Sequence, residues 1–99
     1  MRDMKFELSE DDIAYIMEDY EVDRDLVEDV IYQINESGIV ASEDDFRDLV
    51  VESVSYYVSS LDEVERKRSE GETNLEEVTL NGVVNYQLNR YKKANGYKR

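Results

Sequence analysis

Twice the chain spells Ser-Glu-Asp-Asp directly ahead of an apolar stripe at helical spacing, and no proline interrupts either stripe. Ser9-Glu10-Asp11-Asp12 precedes Ile13, Ile16, Met17 and Tyr20; Ser42-Glu43-Asp44-Asp45 precedes Phe46, Leu49, Val50, Val54, Tyr57, Leu61 and Val64. A serine oxygen accepts hydrogen bonds from the free amides of a first helical turn, and carboxylates there face the positive end of the helix dipole. Apolar residues three and four apart then lay one face of the helix on a core. Asp23 reads as the next cap, followed by the same spacing in Leu26, Val27, Val30, Ile31 and Ile34, and Gly38 stands where a left-handed residue ends a helix. Three helices are therefore expected, the third reaching about residue 65 or beyond, and the polar run 66–74 reads as a loop.

The C-terminal segment supports two readings. Thr73 with Glu76 fits a capping box, and Leu80, Val84, Leu88 and Tyr91 then form a helical stripe. Against this, Asn81-Gly82 between two β-favouring runs is a strong hairpin signal. The likeness of residues 84–89 to residues 30–35, which lie inside the well-patterned second helix, favours the helix. The expected fold is all-α, a compact bundle of about four helices. The alternative is α+β, three helices plus a C-terminal β-hairpin at residues 77–88. Residues 1–93 read as a single acidic helical domain and 94–99 as a basic, frayed tail.

Charge bounds the function more tightly than the fold does. The chain of 99 residues carries a net charge of −13. Residues 1–65 hold 21 acidic and 4 basic side chains; residues 66–99 hold 4 acidic and 8 basic ones. Affinity for phosphate comes from basic patches, so direct nucleic-acid binding and anionic membrane are both disfavoured. A basic protein is the natural complement. Excess acid also serves solubility alone, but crowding 21 carboxylates into 65 residues destabilises the compact state by self-repulsion. The absence of His removes the commonest general base and metal ligand. Without Cys as well, a structural zinc site has no ligand set and a disulfide framework is impossible. No enzymatic activity, no cofactor and no metal are expected. No apolar run suits a signal peptide or a membrane span, and cytoplasm is the expected location.

Each segment also places a tyrosine between two aliphatic positions: Ile13-Tyr15-Met17, Val30-Tyr32-Ile34, Val54-Tyr56-Val58 and Val84-Tyr86-Leu88. On a helix the outer pair shares the core face while the middle residue lies about 200° away, so all four tyrosines are expected to point outward. Duplication of one ancestral helix explains such a pattern as well as a tyrosine surface does. The tyrosines stand among acids. Asp11, Tyr15 and Glu18 share one face of the first helix, with Asp12, Asp19 and Glu21 nearby. Asp25, Glu28, Asp29, Tyr32 and Glu36 share one face of the second. Asp45, Asp48 and Glu52 line up with Tyr56 on the third. Tyr is enriched at interface hot spots, and carboxylates around it steer basic partners. A solvated polar helix face is the plainer explanation of the same residues.

Spacing sharpens this reading. Duplex DNA presents about one charge per 1.7 Å of axis. Asp25 to Glu36 covers about 16 Å of helix at 1.5 Å per residue and holds four carboxylates, so two such helices side by side approach the density of the duplex. In size, composition and charge placement over residues 9–65 the sequence resembles the small acidic DNA-mimic inhibitors encoded by phages. These include anti-restriction proteins, some anti-CRISPR proteins and inhibitors of nucleoid proteins. No sequence motif carries the resemblance, and the basic C-terminal third departs from it. It implies a protein that occupies the DNA-binding groove of a basic host DNA-binding protein, in the bacterial host cytoplasm. The basic end is expected to complement the acidic body, either within the chain or across a homodimer formed through the C-terminal segment. A helical adaptor or assembly protein with an apolar groove is the second reading, and a small carboxylate-metal nucleic-acid enzyme a distant third. For the last, Asp62, Glu65 and Lys67 echo a nuclease pattern. The run from Asp19 to Asp25 resembles a calcium loop, but Arg24 and Val30 stand where that loop needs Gly and Glu.

Overall fold

A computed structural model describes residues 6–40, 42–72 and 78–94. Four helices follow in order: α1 (Glu10–Tyr20), α2 (Arg24–Ser37), α3 (Glu43–Ser69) and α4 (Leu80–Ala94). The serine caps form as expected. Ser9 Oγ accepts from the Asp12 amide at 3.1 Å, and Ser42 Oγ from the Asp45 amide at 3.1 Å. Gly38 ends α2 at φ +68, and its amide returns to the Asn35 carbonyl. Asp23 precedes α2 in extended conformation but its side chain makes no capping bond. Glu21 closes α1 in the left-handed region at φ +55, a conformation that costs a residue with a Cβ about 1–2 kcal/mol.

Two expectations along the chain need correction. The run 66–74 is not wholly a loop, because α3 continues through Arg66, Lys67, Arg68 and Ser69. Polarity alone does not stop a helix. Basic side chains suit the negative end of the dipole, and Arg66 pairs with Glu70 (3.5 Å) and Glu63 (3.8 Å) one turn away on either side. The helix ends at Ser69, with Glu70 as its cap and Gly71 turning the chain away at φ +96. The hairpin alternative at 77–88 is not supported either. Residues 80–88 are helical, and no strand occurs among the described residues. Asn81-Gly82 sits in the first turn of α4, where amides need no intrahelical partner, and Thr79 Oγ1 accepts from the Gly82 amide at 3.0 Å. Thr79 therefore supplies a cap for α4; the Thr73–Glu76 box lies outside the described residues, as does the tail beyond Ala94.

The helices α2 and α3 pack against each other, and each also touches α1 and α4, whereas α1 and α4 do not meet. The core they enclose is aliphatic apart from one fully buried aromatic ring: Ile16, Val27, Val30, Ile34, Val50, Val54 and Val84 share it with Phe46, all almost wholly buried. Phe6 stacks on Phe46 with ring centroids 5.4 Å apart. Asn35 pins that N-terminal segment to α2, accepting from the Phe6 amide and donating to the Phe6 carbonyl, both at 3.0 Å. One polar group disturbs the core. Ser53 is fully buried among these side chains, and its hydroxyl has no hydrogen-bond partner. An unpaired buried hydroxyl carries its desolvation penalty uncompensated, and Ala is the better helix former. Ser53→Ala is expected to stabilise the fold by about 1 kcal/mol, a rise of roughly 4–8 °C in Tm by thermal melt. An unchanged or lower Tm would show that the hydroxyl is satisfied in solution.

Candidate partner-binding surface

With Ile13 and Ile16 turned into the core, Asp12 and Tyr15 fall on the flank of α1 that faces α3. With Phe46, Leu49 and Val50 turned inward, Asp48 and Glu52 form a ridge one turn long on the outside of α3. The two flanks converge. Asp12, Tyr15, Arg47, Asp48 and Glu52 line a groove of about 330 Å³, floored by Ile16 and Val51. None of Asp12, Asp48 and Glu52 forms an ion pair among the described residues; the cation in the groove, Arg47, pairs instead with Asp44 at 3.5 Å.

On the other side of the same ridge lies a second groove, of about 270 Å³, between α3 and α4. Asp48 and Glu52 line it from α3, Gln87 and Arg90 from α4. Asp45, half-buried at its end, accepts a 2.8 Å hydrogen bond from the Tyr91 hydroxyl. One turn beyond Glu52, Tyr56 stacks on Tyr86 of α4 at 5.3 Å between centroids, and the Arg90 guanidinium lies 5.9 Å from the Tyr86 ring centre. The outward direction inferred for the four tyrosines holds throughout: Tyr15 is 60% exposed, Tyr32 59%, Tyr56 44% and Tyr86 47%.

The acidic stripe of α2 lies elsewhere. Asp25, Glu28, Asp29, Tyr32 and Glu36 are all exposed, on the reverse of a helix whose Val27, Val30 and Ile34 pack inward. Two helices packed through their apolar faces turn their reverse faces apart, so this stripe and the α3 ridge do not join. Glu28 instead faces the start of α1, where it and Glu7 line a small cleft with Glu10. Arg24 bridges that region, 2.8 Å from both Glu10 and Glu28. The guanidinium hydrogen-bonded to it holds the Glu10 carboxyl below its ordinary range. Asp11, Glu18, Asp19 and Glu21 are exposed on and after α1 without lining either groove.

Sequence reasoning does not include Arg47, Tyr86 and Arg90 in this surface. A signal for Tyr86 exists, since Val54-Tyr56-Val58 and Val84-Tyr86-Leu88 share one pattern and neighbouring antiparallel helices can bring such tyrosines together. Among the described residues no cluster of three acidic, His or Cys side chains is placed to hold a metal ion, and no helix is long and apolar enough to cross a membrane. Compared with protein-family models, curated proteins and solved structures, the chain has no match in any of the three.

Proposed function

We propose that this chain is a non-enzymatic binding protein that occludes a basic partner, of the DNA-binding kind, with the surface where α1 and α3 meet. The observation that carries this reading is the convergence of Asp12 and Tyr15 with Asp48 and Glu52, residues over thirty positions apart, around one groove and without ion pairs among the described residues. Three carboxylates lining one groove give it a negative field, and a cationic partner is drawn to it and neutralises it on binding. The phage DNA-mimic resemblance is supported by size and charge but takes a changed form. The side-by-side acidic helices it needs are α1 and α3, with α2 turned away.

The test is a salt series on the basic protein that the immobilised chain retains from a bacterial lysate. Its affinity is expected to fall by more than about tenfold between roughly 50 and 500 mM salt, because exposed charge pairs are screened over that range. Duplex DNA should compete for the retained partner. Equal affinity at both salt concentrations would refute the electrostatic mechanism, and indifference to DNA would leave a binding protein that mimics nothing.

A further inference from the structure

We infer that this surface selects arginine, so that the partner's contact segment is arginine-rich rather than merely basic; the inference rests on the binding role given to the α1–α3 face. Two aromatic stations lie near the Asp48–Glu52 ridge. Tyr15 stands across the α1–α3 groove from it, and the stacked Tyr56–Tyr86 pair lies one turn beyond Glu52, at its end. About half or more of each ring is open to solvent, so core packing does not account for them. A surface that only attracted positive charge would need no aromatic faces beside its carboxylates.

Arginine and lysine differ in the property these stations read. The guanidinium is planar and weakly hydrated; it stacks on an aromatic ring while its N–H fork meets a carboxylate. An ammonium is a strongly hydrated point charge that gains less from such a pair. One of the chain's own arginines already makes the ring contact, and another stands in the first groove, paired with Asp44. Arg90 lies over the Tyr86 ring, and Arg47 lines the groove of Asp12 and Tyr15. An apolar occupant would bury Asp48 and Glu52 unpaired, and a phosphate would meet like charge. An arginine side chain in the α1–α3 groove has the Tyr15 ring to stack on and a carboxylate of Asp12, Asp48 or Glu52 to bond, and one reaching past Glu52 meets the Tyr56 ring a turn further along α3.

The experiment measures binding of two peptides to the full chain by fluorescence anisotropy at about 100 mM salt. The peptides have equal length and charge, one of alternating Arg and Gly and the other of alternating Lys and Gly. The arginine peptide is expected to bind at least about tenfold tighter. Tyr15→Leu and Tyr56→Leu should each weaken it by roughly three- to tenfold and leave the lysine peptide unchanged. Tyr15→Phe, which keeps the ring, should retain the preference. Tyr32→Leu, on the reverse of α2, should alter nothing. Equal binding of both peptides overturns the arginine inference and leaves the acidic-face reading intact. Binding of neither overturns both. A preference for arginine that survives Tyr15→Leu and Tyr56→Leu, or is lost with Tyr32→Leu, shows that these two stations do not read it.

Discussion

Phe46→Ala is expected to destabilise the fold by about 3–5 kcal/mol, the range for emptying a fully buried phenylalanine site. Phe46 is the largest fully buried side chain; it belongs to the core cluster that α1, α2, α3 and α4 all contribute to, and it stacks on the Phe6 ring. The aliphatic groups around it are mostly valines and isoleucines, whose branched side chains are stiff and cannot collapse far into the space left. A domain of this size has roughly 5–15 kcal/mol in all, so the variant loses a large share of its stability. Urea titration should show a much lower midpoint with the slope conserved, and Tm should drop by roughly 15–30 °C. Should the Ala variant not fold, Phe46→Leu gives a graded loss of about 1–1.5 kcal/mol. Leu61→Ala supplies the contrast on the same helix, because Leu61 is 41% exposed and its truncation should have a small effect. Near-equal losses at the two positions would mean that the core is not centred on Phe46.

Periodicity makes the apolar faces legible in the sequence. Ile16, Val27, Val30, Ile34, Phe46, Val50, Val54, Val84 and Leu88 all lie where the 3-4 spacing puts them. So do the caps at Ser9 and Ser42 and the stop at Gly38, because each depends on bonds within a few residues. The outward tyrosines follow from the same arithmetic. Long-range choices do not show. Asn35 holds a backbone segment 29 residues away, and nothing in its own neighbourhood marks it for that. Ser53 and Gln87 are polar residues at core positions, and a polar letter inside a stripe reads as surface. The start of α4 is ambiguous in sequence because Asn-Gly is acceptable both in a tight turn and in a first helical turn. Packing of Val83, Val84, Gln87 and Leu88 decides between the two.

The candidate surface is half legible for the same reason. Helical spacing says which residues leave the core together, but not which helix lies beside them. It groups Asp25, Glu28 and Asp29 as readily as Asp48 and Glu52. The fold separates them, since α2 shows its acids on the reverse of the face it packs on α3, while α1 brings Asp12 and Tyr15 alongside the α3 ridge. Arg24 further offsets the α2 side through Glu10 and Glu28.

Charge reversal on the two faces separates position from net charge. Asp48→Lys with Glu52→Lys, and Asp25→Lys with Asp29→Lys, change the total charge equally and alter only exposed helical positions. Neither pair breaks a side-chain hydrogen bond or ion pair of the fold described above, so both variants should fold, the α2 pair melting slightly lower because Asp25→Lys puts a cation in the first turn of α2, at a cost of about 0.3–1 kcal/mol. A partner docked over the α3 ridge would meet like charge at two points in the first variant, and each such juxtaposition costs several kcal/mol. Its affinity for the retained basic partner is therefore expected to fall by about a thousandfold or more. The second variant weakens only the long-range field, which salt near 0.15 M screens beyond roughly 8 Å, and should lose less than about tenfold, mostly in association rate. Surface plasmon resonance on both variants gives rates and affinity together. An equal loss in the two would mean that net charge alone governs binding, and a larger loss from the α2 pair would move the site to the opposite side of the bundle.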